Sequence, residues 1–256
     1  MPEQPVLAEL QNGVLTLALN RPEKRNALNR GIIEGLTRAL VDASADGDVH
    51  VVLLRANGSD FCAGADLAEM ERMAAELDPV ANLADAQALG EVLVLMRRHS
   101  KPIIAAVHGH ALAGGAGLAT ACDLVLARED AVFGYPEVRL GFVPAMVMAL
   151  LRRAVGEKVA FELVTRGERI DAARAAELRL VNRVVAKDGW DHEVADYAAD
   201  LAGQSKSAVS LIKRLLYGMD GLSFEEAVAR GAEVNALARL TPDTRDGVQA
   251  FLDRQK

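Results

Sequence analysis

The chain has 256 residues, 51% hydrophobic and 25% charged, with a formal net charge of −7 and a pI near 5.3. That suffices for one compact domain with a sizeable core and room for a smaller satellite. It also sets aside a nucleic-acid backbone as partner. No run approaches the roughly twenty apolar residues that a bilayer span requires.

The opening MPEQPVLAEL has acids and no basic-plus-apolar leader, so no secretory or organellar signal is expected. Cys62 and Cys122 are too few for a disulfide framework or a zinc site, and they read as small buried residues. A cytoplasmic home without membrane attachment follows.

In chain order, Val6 to Leu10 and Val14 to Leu19 flank Gln11-Asn12-Gly13 and predict a tight hairpin. A polar loop, Asn20 to Arg25, precedes a helical pattern at Ile32, Ile33, Leu36, Ala39 and Leu40. Val49 to Leu54, Ile103 to Val107, Leu124 to Ala127 and Ala131 to Phe133 read as short buried strands. Helices are expected around Leu67 to Glu76, Gln87 to Arg98 and from Gly114. This alternation implies an α/β layered core.

The stretch from Val51 through Gly58 to Ala65 is echoed by that from Ile103 through Gly109 to Gly115, a hint of a repeated unit. After Val181 to Val185, helices are predicted at Asp191 to Ala202, Ser207 to Tyr217, Ser223 to Ala238 and Asp243 to Leu252. Ser223 with Glu226 makes a capping-box pattern. The division expected is an α/β core over 1–190 and a helical region over 191–256 that needs a partner surface.

Two segments join a buried strand to a helix through small residues: Phe61-Cys62-Ala63-Gly64-Ala65-Asp66 and Ala111-Leu112-Ala113-Gly114-Gly115-Ala116-Gly117. Such turns serve close packing or let a ligand reach backbone amides. The second lacks the Lys-Ser/Thr pair and ordered glycines of a nucleotide loop. In Tyr135-Pro136-Glu137-Val138-Arg139 a proline stiffens the chain before a carboxylate with apolar flanks. That suits a general acid or base, or alternatively a surface ion pair with Arg139.

Together these segments resemble the crotonase superfamily, the enoyl-CoA hydratase/isomerase family. The resemblance covers essentially the whole chain. Its parts are Asn20-Arg21-Pro22 with Asn26-Ala27-Leu28, Phe61 to Leu67, Ala105 to Gly109 leading into Ala113-Gly114-Gly115, Cys122-Asp123, Phe133-Gly134, Pro136-Glu137 and Leu180 to Val184.

The resemblance implies a spiral of ββα units with a helical C-terminal region, assembled as a homotrimer or homohexamer. It implies an acyl-CoA thioester as substrate, with coenzyme A part of that substrate and no separate cofactor or metal. The amides of Ala65 and Gly114 would hold an enolate-like oxygen, and Ala65, Asp66, Leu67 and Ala68 would run beside the thioester. Glu137 would be the acid–base group. Lys24 and Arg25 fall where the family places contacts to coenzyme A phosphates, a role no more expected than that of solvated charges.

His108 and His110 read as structural, Asp66 as a helix cap, Glu69 as a solvated face and Asp123 as a backbone holder. The best-known hydratases grip water between two glutamates. The second matches Glu137 and the first falls on Gly117, which has no side chain. Enoyl-CoA hydration is the first expectation, with an isomerase using Glu137 alone, or a non-catalytic acyl-CoA-binding subunit, as alternatives.

Overall fold

The computed structural model describes residues 4–76 and 78–254. Strands β1 (Val6–Gln11) and β2 (Val14–Leu19) form the expected antiparallel hairpin, with Gln11 opposite Val14. Asn12 and Gly13 both take positive φ, +50° and +80°, which is why Asn-Gly suits this turn. Helix α1 (Arg30–Ala45) starts only after Asn29, whose side chain accepts the Ile32 amide at 3.0 Å.

The chain then enters β3 (Val51–Ala56), α2 (Leu67–Glu76) and α3 (Pro79–Arg98). Helix α3 is two turns longer than the apolar spacing suggested. Its first half is capped by Asp78 and led by Pro79, but is too exposed to carry periodicity. Strands β4 (Ile103–Val107) and β5 (His110–Leu112) lead to α4 (Gly114–Ala121), and β6 (Leu124–Arg128) to β7 (Val132–Gly134). Next come α5 (Ala145–Val155), α6 (Glu157–Arg166), β8 (Arg169–Asp171), α7 (Ala172–Glu177) and β9 (Arg183–Val185). Four helices close the chain: α8 (Trp190–Ala202), α9 (Lys206–Gly218), α10 (Phe224–Ala238) and α11 (Pro242–Asp253).

The main sheet runs β1-β2-β3-β4-β6-β9, parallel from β2 onward, and a smaller one runs β5-β7-β8. Alternate residues of the parallel strands enter different cores. Val52, Leu54, Ile103 and Ala105 face α1, α3 and α4, whereas Val51, Leu53, Ile104 and Ala106 face Trp190, Val194 and Ala198 of α8. Burial on both faces explains why these strands read as unbroken apolar runs. It also makes α8 part of the α/β body, so the exposed helices are α9 to α11 and not everything past residue 190.

The echo between the two Gly/Ala segments is structural. Cys62, downstream of β3, bridges in parallel to Ala111 of β5, and β5 pairs with β7. Each turn of the chain thus gives a main-sheet strand, a short strand in the second layer and a helix, stacked as a spiral. Among the described residues no helix is long and apolar enough to cross a membrane.

Helix α9 is pinned to the body by one polar cluster. Asp123 accepts the Ile103 amide at 2.6 Å, Lys213 Nζ at 2.7 Å and the Tyr217 hydroxyl at 2.7 Å. Lys213 is buried, and desolvation lowers its pKa against the pull of Asp123. Removing the acid strands a buried cation. Asp123→Ala should therefore cost about 3 kcal/mol or more, read from urea unfolding with an unchanged slope.

Candidate active site

A cavity of about 450 Å³ lies between the loop before α1, the starts of α2 and α4, and the segment 136–147. Its floor is built by two turns packed on each other. The Cys62 amide donates to the His110 carbonyl and the Leu112 amide to the Cys62 carbonyl, both at 2.9 Å. At Gly64, with φ +103°, an added Cβ would lie 3.0 Å from Ala113 Cβ and 3.1 Å from the Leu112 carbonyl oxygen. At Gly115 it would lie 2.4 Å from the Cys62 carbonyl oxygen. Glycine here is a requirement of close backbone approach.

These turns place the two amides named from the resemblance. Ala65 sits just before α2, and among the described residues its N–H has no acceptor. Gly114 is the first residue of α4, so its N–H lies outside the helical ladder and is likewise unpartnered. Ala113, immediately before it, is held at φ +50°, ψ −124°, a conformation costly for a residue with a Cβ. Its own amide donates to Gly134 at 2.8 Å, which fixes the elbow that turns the Gly114 N–H. Both residues border the cavity.

The first turn is suspended from the Asn-Arg-Pro loop. Arg25 accepts the Ala63 amide through its carbonyl, Gly64 accepts from Leu28, and Leu28 accepts from Asp66. Asn26 is fully buried, accepting from the Arg21 amide and donating to the carbonyls of Asn57 and Asp60, each at 2.8 Å. Arg21 reaches the Ala27 carbonyl at 2.8 Å and Asp66 at 3.1 Å. Asp66 also accepts the Ala68 amide at 3.1 Å, so the capping role read for it is accompanied by an ion pair.

Asp60 was not singled out in the sequence, although it directly precedes Phe61. Burial would raise the pKa of its carboxyl. Hydrogen bonds from Arg25, Ser59 and His110 outweigh this and hold it far below the ordinary carboxylate range. Arg25 is therefore tied to Asp60 at 2.8 Å, not simply solvated, while it and Lys24 border the cavity. His108 and His110 serve this scaffold: His108 Nε2 lies 3.0 Å from the Gly58 carbonyl and His110 Nδ1 2.6 Å from Asp60. Among the described residues no three His, Cys, Asp or Glu side chains form a possible metal ligand set.

Glu137 stands in a single 3-10 turn, Pro136–Leu140, that follows β7. It is only 8% exposed and borders the cavity. Its Oε2 is a buried polar atom without a hydrogen-bond partner among the described residues, and no ion pair with Arg139 forms. Desolvation raises its pKa above the usual glutamate value. A neutralised or poised carboxyl with a free oxygen is what proton transfer requires.

Two further placements bear on the expected site. Ala68 does not border the cavity, whereas Leu67, Asp66 and Ala65 do. Gly117 is buried behind Val147 and leaves no gap where another carboxylate could enter. A Cβ there would lie 2.4 Å from Val147 Cγ2. Val147, invisible in the sequence because it is an ordinary apolar residue of α5, forms the cavity wall in its place.

A spiral α/β body that presents two unpartnered amides and a buried carboxyl in one apolar cavity is of a class equipped to stabilise a negatively charged oxygen beside a proton carrier. The comparisons with known proteins give that class a family. The enoyl-CoA hydratase/isomerase model matches residues 9–256, and the chain belongs to that family, within the crotonase superfamily.

A Thermus thermophilus relative, provisionally named an enoyl-CoA hydratase, is 39% identical over 97% of this chain and 98% of its own. The Escherichia coli 2,3-dehydroadipyl-CoA hydratase is 35% identical over 98% of this chain and 96% of its own. The crystal structure of a Mycobacterium smegmatis enoyl-CoA hydratase superposes with a TM-score of 0.94 at 35% identity, covering 98% of this chain and 97% of that one.

The Val147 contact makes a direct test. Gly117→Glu alone should be overpacked, destabilised by about 1–3 kcal/mol or more, and reduced in ligand binding. Adding Val147→Gly should recover much of that stability in thermal melts. Equal melting of the single and double variants would refute the steric reading.

Proposed function

We propose that this protein is a cytoplasmic enoyl-CoA hydratase that adds water across the C2–C3 double bond of a 2-enoyl-CoA to give the 3-hydroxyacyl thioester. The observation that carries the reading is the buried Glu137, with its free oxygen, sharing one cavity with the unpartnered amides of Ala65 and Gly114. Two buried free thiols suit a reducing compartment.

In this reading the thioester oxygen accepts both N–H groups. Glu137, as carboxylate, takes a proton from water as its oxygen bonds to C3. The C2–C3 π electrons move toward the thioester, and the negative charge gathers on the oxygen held by the amides. The carboxylic acid so formed returns the proton to C2, which balances the addition of H and OH. Lys24 and Arg25 at the rim are the cations available to coenzyme A phosphates.

The apolar Val147 wall favours a second reading. With one carboxyl and no second grip on water, Glu137 could instead carry a proton between C2 and C4 of an enoyl-CoA. An acyl-CoA-binding subunit without activity is the third reading, and the poised carboxyl speaks against it.

Glu137→Gln should reduce turnover by about a hundredfold to ten-thousandfold while acyl-CoA binding stays within a few-fold. Because burial raises the folded-state pKa of Glu137, its ionisation costs stability as pH rises through the carboxylate range. The same variant should therefore melt higher than the parent at neutral pH. Product analysis by mass spectrometry separates the two chemistries: the hydratase reading fails if 3-enoyl-CoA is converted while 2-enoyl-CoA stays unhydrated.

The reading includes assembly into a trimer or a pair of trimers. It is supported by large apolar side chains left open on α9 to α11, among them Ile212, Leu216, Phe224, Val248 and Phe251, each more than half exposed. Light scattering at micromolar concentration should give a mass of three or six chains, and a monomer would refute it.

A further inference from the structure

The charges bordering the cavity are unevenly distributed. Its only lysine or arginine side chains among the described residues are Lys24 and Arg25, both on the loop before α1. Arg25 is already held by Asp60 at 2.8 Å, and its carbonyl accepts the Ala63 amide, so this loop lies against the Ala63 side of the first turn.

Beyond Gly114 the wall is α3 and α5. A Cβ at Gly114 would lie 3.8 Å from Leu89 Cδ2, and one at Gly90 would lie 3.6 Å from Met146 Cγ. Asp85 precedes Leu89 by one helical turn, which puts it on the same face of α3, and it has no partner among the described residues. Glu69, on α2, also borders the cavity. It accepts the Arg30 amide at 3.3 Å and lies 4.0 Å from Arg72, which does not border the cavity. The α3–α5 wall therefore combines Leu89, Met146 and Val147 with Asp85, whereas both cations that border the cavity are on the loop before α1.

The geometry points to selection of uncharged acyl chains: a six-carbon chain ending in a methyl group is accepted, and one ending in a carboxylate is refused. The inference rests on the acyl-CoA reading above and specifies its substrate class. A methyl terminus gains from contact with the apolar wall. A terminal carboxylate would lose hydration against that wall with no cation there to compensate it, and would meet the negative charge of Asp85. Repulsion of this kind is how a site discriminates between ligands that share every other group. Since Asp85 is exposed, salt should weaken its share of the discrimination.

Saturated thioesters test this without requiring turnover. Hexanoyl-CoA and adipoyl-CoA have equal chain length and differ only at the terminus. By calorimetric titration of the full chain, hexanoyl-CoA should bind at least about tenfold more tightly. The ratio should shrink as ionic strength rises, and it should shrink again in the Glu69→Gln/Asp85→Asn variant. The ratio is informative even if that variant binds both ligands less well. Equal affinity of the parent for the two ligands, or tighter adipoyl-CoA binding, overturns the inference and leaves the acyl-CoA reading standing. Binding of neither ligand overturns that reading, and the inference with it.

Discussion

Gly64 and Ala113 pack so closely that a Cβ on Gly64 would lie 3.0 Å from that of Ala113, and much of the molecule is arranged so that they can. The contact forces two strand-to-helix turns side by side, one ending at Ala65 and the other at Gly114. Each turn leaves one N–H outside any hydrogen-bond ladder. A Cβ at 115 would collide with Cys62, and one at 64 would press on Ala113 and Leu112 in a backbone conformation, φ +103°, that favours glycine. The strained Ala113 is held by its bond to Gly134. Backbone amides fixed in this way stabilise a charge without reorganising when it forms, which is their advantage over mobile side chains.

The surrounding parts serve that contact from three directions. The loop from Asn20 to Leu28 ties the first turn in place through Asn26, Arg21 and the Arg25–Asp60 pair. The spiral sets β5 between Cys62 and β7, so the second turn inherits its position from the sheet. The 3-10 turn after β7 brings Glu137 to the same cavity. Its Phe142-to-Glu137 backbone bond at 3.0 Å, the left-handed Gly141 and Pro136 at its start limit its freedom. Tyr135 beneath it is fully buried, with its hydroxyl 3.0 Å from Thr120. The carboxyl thus gains its raised pKa from a rigid, largely apolar setting.

The legible features were those whose physics is local. Asn12-Gly13, the apolar strand runs and the Ser223–Glu226 capping box can each be read from a few neighbouring residues, and each lies where expected. The Gly/Ala turns and Glu137 were legible as chemistry only when several segments were taken together, because each alone also fits a packing role. What stayed hidden depends on residues distant in sequence. Val147 looks like any helix valine until it is seen against Gly117, and Asp60 like a loop acid until Arg25 and His110 close on it. Helix α8 resembled the helices after it, and only the alternate faces of β3, β4 and β6 show that it covers a core. Strands β5 and β8 are three residues long, too short to have a period.

The central claim is that the Ala65 and Gly114 amides hold a thioester oxygen while Glu137 moves a proton at the adjacent carbon. Hydrogen exchange tests it most directly and does not depend on whether the overall reaction is hydration or isomerisation. The enzyme would be incubated with hexanoyl-CoA in deuterium oxide and the thioester weighed by mass spectrometry. Deuterium should enter at C2 with the parent enzyme and stop entering with Glu137→Gln. Binding without exchange in the parent, or exchange that persists in the variant, would contradict the claim.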